Sequence, residues 1–175
     1  EPPAPPVGTI SGRVKLQAYL GSSRLVRFIA SAVAGGVTNY LQTNDVSLSF
    51  TAGEADYSIE VPTNTTHLSA KTAWHLRKRQ AVALVSGSAT NNFTGADWLL
   101  GGDLVTAIGS TSIEDTDNLV NAVDLGLLLG YYLNGVGSDP MIGRADIDGD
   151  GAVDMVNAVD LSILLGNYLL PGDGP

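Results

Sequence analysis

The sequence predicts a two-domain chain, an N-terminal all-β antiparallel sandwich followed by a small C-terminal α domain of two loop–helix repeats. Three observations predict it. Apolar and polar residues alternate from Gly8 to about Leu100, and the period becomes helical after Gly101-Gly102. One string, Val120-Asn121-Ala122-Val123-Asp124-Leu125, also recurs letter for letter as Val156-Asn157-Ala158-Val159-Asp160-Leu161. A period of two belongs to a strand with one buried face, and a period of 3.6 to an amphipathic helix. The expected divisions are a Pro-rich linker over 1–7, the sandwich over 8–100, the repeats over 101–170 and a tail over 171–175.

Taken in order, Glu1 to Pro6 read as a stiff polyproline segment. The first strand carries Ile10, Gly12, Val14 and Leu16 on one face; later ones carry Val46, Leu48 and Phe50, then Tyr57, Ile59 and Val61. Leu25 to Ala32, His67 to Trp74, Gln80 to Val85 and Phe93 to Leu99 are further strand candidates, separated by Gly-containing turns. About seven short strands at this spacing suggest a sandwich. In the repeats, Leu125, Leu128, Leu129 and Tyr132 fall at i, i+3, i+4 and i+7, as do Leu161, Leu164, Leu165 and Tyr168. A literal duplication at this spacing marks a repeated structural unit, and Asn134 to Pro140 read as a plain turn-rich linker.

Composition narrows the function. A formal charge of -9 and only one basic cluster, Arg77-Lys78-Arg79, argue against a nucleic-acid partner. That cluster reads as a solvated strand end. The absence of cysteine removes disulfides, thiolate metal sites and thiol nucleophiles. No apolar run is long enough to span a membrane. The two histidines, His67 and His75, lie in a strand region away from any Gly-x-Ser-x-Gly or His-Glu-x-x-His motif, so no enzyme is expected. Trp74 and Trp98 read as core residues of the sandwich.

The chemistry gathers before the helices. Asp146-Ile147-Asp148-Gly149-Asp150-Gly151 places carboxylates at the first, third and fifth positions of a loop and glycine at the sixth. Calcium takes six to eight oxygens, and such a loop supplies them with a backbone carbonyl at the seventh place, here Ala152, and an acid at the twelfth. The twelfth residue from Asp146 is Asn157. Asp160 lies three further on and is the favoured closing ligand, with Asp154 as a replacement or water-mediated contact. In the first repeat Asp115, Asp117, Leu119, Asn121 and Asp124 fit the third, fifth, seventh, ninth and twelfth places. Its first place falls on Ile113, which cannot bind metal; Asp103 or Glu114 could fill that corner. Two calcium ions are expected, one per loop.

Paired Asp-rich loops, each followed by a helix and with none before it, resemble the F-hand repeats of a dockerin over about 70 residues. The resemblance rests on Asp146 to Gly151 and on Asn121-Ala122-Val123-Asp124-Leu125 with its copy. It implies a fold organised by two calcium ions and a cohesin module as partner. The sandwich, through Gly8 to Val14 and Tyr57 to Pro62, resembles the prealbumin-like domains found beside carboxypeptidases, so that the whole looks like an X-module–dockerin arrangement.

A second apolar stripe supports a partner. Val123, Leu127 and Tyr131 fall opposite the first set, matched by Val159 and Ile163. With the dockerin resemblance, Ala122, Val123, Leu127, Tyr131, Ala158, Val159 and Ile163 become the expected cohesin contacts; packing on the sandwich is the other use such a stripe could have. The expectation is a non-catalytic docking module, monomeric in isolation, from a larger secreted or cell-surface protein. The alternatives are a calcium-stabilised structural tail or adhesin segment, and the non-catalytic end of a hydrolase.

Overall fold

A computed structural model describes residues 6–105, 116–135, 140–150 and 155–175. The described strands are β1 (Val7–Lys15), β2 (Ser23–Ala34), β3 (Val37–Ser49), β4 (Glu54–Pro62), β5 (His67–Lys71), β6 (Lys78–Ala81) and β7 (Ser88–Thr90), and the described α-helices are α1 (Ala122–Tyr131), α2 (Pro140–Ala145) and α3 (Ala158–Gly166). The strands form two sheets, in the orders β4-β1-β7 and β3-β2-β5-β6.

The alternation read from the sequence places the core between these sheets. Ile10 and Val14 of β1, Tyr57, Ile59 and Val61 of β4, and Val26, Phe28, Ala30, Leu68 and Ala70 of the facing sheet are buried together. Phe28 stacks on Tyr57 with ring centroids 4.5 Å apart. Gly12 is required by a close approach: a Cβ there would lie 1.7 Å from the Asn91 carbonyl oxygen. The β2–β3 hairpin turns at Gly35-Gly36, both at positive φ (58° and 81°), where glycine carries no steric penalty.

Several expectations need correction. The sheets are not wholly antiparallel, because β7 pairs parallel with β1. Phe93 to Leu99 is not a strand; Gly95–Asp97 form a 3-10 turn there, and only Phe93 and Leu99 bridge to Val14 and Leu16. Pro140, expected to close a turn-rich linker, opens α2, while residues 136–139 of that linker lie outside the described residues. Arg77 to Arg79 do not end in open solvent, since the tail closes over them: the Asp173 N–H donates to the Arg77 carbonyl and the Arg79 N–H to Asp173 Oδ2.

The expected architecture as a whole is also overturned. Strands in two sheets dominate, the described α-helices are short at ten, six and nine residues, and among the described residues no separate C-terminal α domain of paired calcium loop–helix repeats is evident. The physical reason lies in the second apolar cluster. Leu104, Val120, Leu127, Leu128, Ile147, Val156, Ile163 and Leu164 are completed by Leu76, with Trp74 and Leu100 packed against them. Helices this short present too little apolar surface to enclose a core alone. They use the sandwich as the missing wall.

Candidate metal centre

Each long helix begins on an identical local device, which explains the repeated string. Asn121 caps α1, its Oδ1 accepting from the Val123 N–H at 2.7 Å, and Asp124 Oδ2 reaches back to accept from the Asn121 N–H at 2.8 Å. Asn157 and Asp160 do the same for α3, at 2.7 and 2.9 Å. These are capping boxes, which satisfy amide donors that a helix start would otherwise leave unpaired.

The second oxygen of each aspartate does something the helix does not need. Asp160 Oδ1 accepts from the N–H groups of Ile147 and Asp148 at 2.7 and 3.2 Å. Asp124 Oδ1 accepts from Leu104 and Val105 at 2.6 and 3.0 Å. Each aspartate therefore clasps the opening of its own loop to the helix that follows it. The pattern aligns Asp103 with Asp146, Leu104 with Ile147 and Val105 with Asp148.

Among the described residues, Asp146, Asp148 and Asp160 bring carboxylate oxygens within 4.8 Å of one another, and all three are buried. Asp146 Oδ1 accepts from the Gly149 N–H at 2.9 Å and Asp148 Oδ1 from the Asp150 N–H at 3.2 Å, so the loop wraps tightly around the cluster. Gly149 takes a positive φ of 60° at this turn. Burial, then Asp160, Asp150 and Asp146, push the Asp148 carboxyl up to about 7. Burial and Asp160 also raise Asp146. Asp150 Oδ1 is buried without a hydrogen-bond partner. Converging buried carboxylates with an orphaned oxygen beside them fit a hard divalent cation, and an all-oxygen donor set fits calcium.

The sandwich holds this loop from outside. The Leu20 N–H donates to the Asp148 carbonyl at 2.7 Å, and Arg24 Nη2 to the Asp146 carbonyl at 3.3 Å. Arg24 lies over the Trp74 ring, 3.6 Å from its centroid, and over Tyr19 at 4.6 Å. None of these four residues carries a ligand signature in sequence, because they lie over 70 positions from the loop and meet it only through the fold.

The other candidate ligands are placed less uniformly. Asp160, not Asn157, joins the acidic cluster. Asp115, Ala152 and Asp154, together with Ile113 and Glu114, lie outside the described residues. Met155 is the counterpart of Leu119: each forms an isolated bridge and each carbonyl accepts from its capping asparagine, at 3.1 and 3.4 Å. Asp117 is exposed and accepts from the Leu119 N–H and from Asn121 Nδ2, both at 3.0 Å. Asp103 is fully buried and pairs with Lys71 Nζ of β5. Desolvation raises its carboxyl to about 6 in spite of that neighbour.

The partner stripe is corrected by its phase. Leu127 and Ile163, expected at the surface, are buried at 2% and 7% exposure. Leu129 and Leu165, expected inside, are exposed at 53% and 51%. Ala122, Ala158 and Val159 are exposed, while Val123 and Tyr131 are half-buried. The leucine run in α1 leaves apolar residues on every side, so periodicity did not fix which side faced inward. The clasping aspartates fix it, since Asp124 and Asp160 must face the loops. The outer apolar surface is thus Leu129 and Leu133 after α1 begins, and Val159, Leu165 and Leu169 along and beyond α3.

No family model matches the chain, and no curated protein matches it. Among solved structures it is similar to a chain of a C-terminal interface mutant of a type II cohesin–X–dockerin complex from Acetivibrio cellulolyticus, at 15% identity and a TM-score of 0.57. It is similar also to a chain of an N-terminal interface mutant of such a complex, at 13% identity and a TM-score of 0.57. Each alignment covers 94% of this chain and 97% of the other. At this identity the likeness is one of fold, and it extends over nearly the whole chain.

Proposed function

We propose that this chain is a non-catalytic docking module that binds a cohesin-type partner and uses calcium to hold its binding face in shape. The observation that carries the reading is the fold likeness, over nearly the full length, to chains from cohesin–X–dockerin complexes. Two features of the chain support it. The buried Asp146–Asp148–Asp160 cluster offers a hard cation three carboxylates, and α3, which that cluster anchors, leaves Val159 and Leu165 half exposed to solvent. A bound calcium ion would neutralise the cluster and tie the loop to the start of α3; Asp146, Asp148 and Asp160 would hold it. The role fits a secreted or surface protein that is tethered to others outside the cell.

The test is capture of the purified chain by immobilised type II cohesin, in calcium and in chelator, with an immobilised dockerin as the opposite bait. Capture by cohesin in calcium, lost in chelator, is the expected outcome. Capture by the dockerin bait would place the chain on the other side of the complex. Calcium-dependent folding with no capture by either would favour a structural tail.

A further inference from the structure

The two loops share one backbone device but not one ion. We propose that the ammonium of Lys71 is the built-in cation of the first loop, so that Asp103 is neutralised from within the sandwich and the chain takes one calcium ion, not two. The inference rests on the calcium reading of the second loop and departs from it at the first.

The clasps fix an equivalence between the two loops. Asp124 holds Leu104 and Val105 as Asp160 holds Ile147 and Asp148. Asp103 therefore stands where Asp146 stands, and Val105 where Asp148 stands. A valine side chain offers no ligand atom, and Val105 is fully buried in the second core. Among the described residues, the opening of the first loop therefore has no counterpart of the Asp148 carboxylate, and Asp103 is left there with the clasping Asp124, both fully buried.

A buried carboxylate is costly unless a cation meets it. Lys71, at the end of β5, supplies one and is itself only 3% exposed. Its Nζ donates to Asp103 Oδ2, to the His75 carbonyl at 3.2 Å and to Asn118 Oδ1 at 3.4 Å. An ammonium has three donors, and three acceptors from three segments use them all. Asn118 is held for this at a positive φ of 64°, its Oδ1 also accepting from the Arg77 N–H at 2.7 Å and its Nδ2 donating to the Asp173 carbonyl at 2.9 Å. Neutralisation of Asp103 is therefore built into the sandwich, and a divalent ion would have to displace that ammonium from Oδ2 or bind through Oδ1 alone, which is buried without a hydrogen-bond partner. Among the described residues no lysine meets the second loop in this way; Arg24 donates to the Asp146 backbone carbonyl and leaves the carboxylates facing one another.

Native mass spectrometry of the full chain, stripped with chelator and titrated with calcium, reads the ion count. One ion on the wild type and none on Asp148→Ala is expected. Two ions on the wild type, or an ion retained by Asp148→Ala, would overturn the proposal. No ion on the wild type would refute the calcium reading of the second loop alone, and melting then decides the first. Lys71→Met is expected to lower the melting temperature by about 10 °C, as loss of a buried ion pair does, and equally in chelator and in saturating calcium. A drop confined to chelator would mean that a metal ion takes the place of the ammonium, and no drop in either would mean that Lys71 neutralises nothing; both overturn it. Should Lys71→Met fail to fold, the wild-type ion count still decides.

Discussion

Asp160 is the residue on which the second loop turns, because its two oxygens serve two structures at once. One closes the capping box of α3 and the other gathers the loop amides of Ile147 and Asp148 beside two further carboxylates. Without a cation these carboxylates repel one another, and that repulsion has a pH signature. Asp148 sits at about 7 in the folded chain, above the roughly 3.9 of an unfolded aspartate. A group raised on folding contributes stability below the unfolded value and loses it as pH rises through the folded value. In chelator, the melting temperature is therefore expected to fall between about pH 4 and pH 7, and added calcium is expected to remove most of that fall. A thermal-melt series over pH with and without calcium checks this; a rise over the same range in chelator would contradict it.

The helices show how one element carries two kinds of leucine. Leu164 is fully buried in the second core and Leu165, its neighbour, is half exposed. Leu164→Ala is expected to cost about 2–5 kcal/mol, through lost burial and the cavity left behind. Leu165→Asp is expected to change stability by less than about 0.5 kcal/mol and yet to weaken cohesin capture, because it places a charge on the outer apolar face. Denaturant melts and capture assays on the two variants separate the roles; loss of stability in Leu165→Asp would show that its side chain is covered. The caps can be tested in the same way. Asn157→Ala removes the acceptor for the Val159 N–H and is expected to cost about 1 kcal/mol.

Across the whole molecule, the sandwich acts as a scaffold for the loops. Trp74 and Leu76 complete the second core, Asn167 Nδ2 donates to the Gly101 carbonyl at 2.8 Å, and the tail at Asp173 pairs with Arg77 and Arg79. Arg24 is the clearest link. It is buried between Tyr19 and Trp74, burial lowers its pKa, and its guanidinium reaches the Asp146 carbonyl. It touches no proposed ligand oxygen, so Arg24→Ala should act by loosening the loop, with an expected loss in calcium affinity on the order of 10-fold. Titration calorimetry measures it. Unchanged affinity would show that the loop keeps its shape without the sandwich.

Much of this was legible in the sequence, for reasons of local geometry. Alternation at Ile10, Val14, Tyr57, Ile59 and Val61 marks inward-facing strand positions because side chains leave a strand on alternate sides. The Asp146 to Gly151 spacing and the repeated Asn-Ala-Val-Asp string mark a loop and a cap because both are made by neighbours in the chain. The tertiary structure alone decided three matters. It turned Leu127 and Ile163 inward, since helices apolar on every side take their phase from what they pack against. It bound the helices to the sandwich through Trp74, Leu76 and Leu100, since short helices cannot close a core by themselves. It also set Lys71 against Asp103, a pair 32 residues apart, because only the fold brings the end of β5 to the loop whose carboxylate it neutralises.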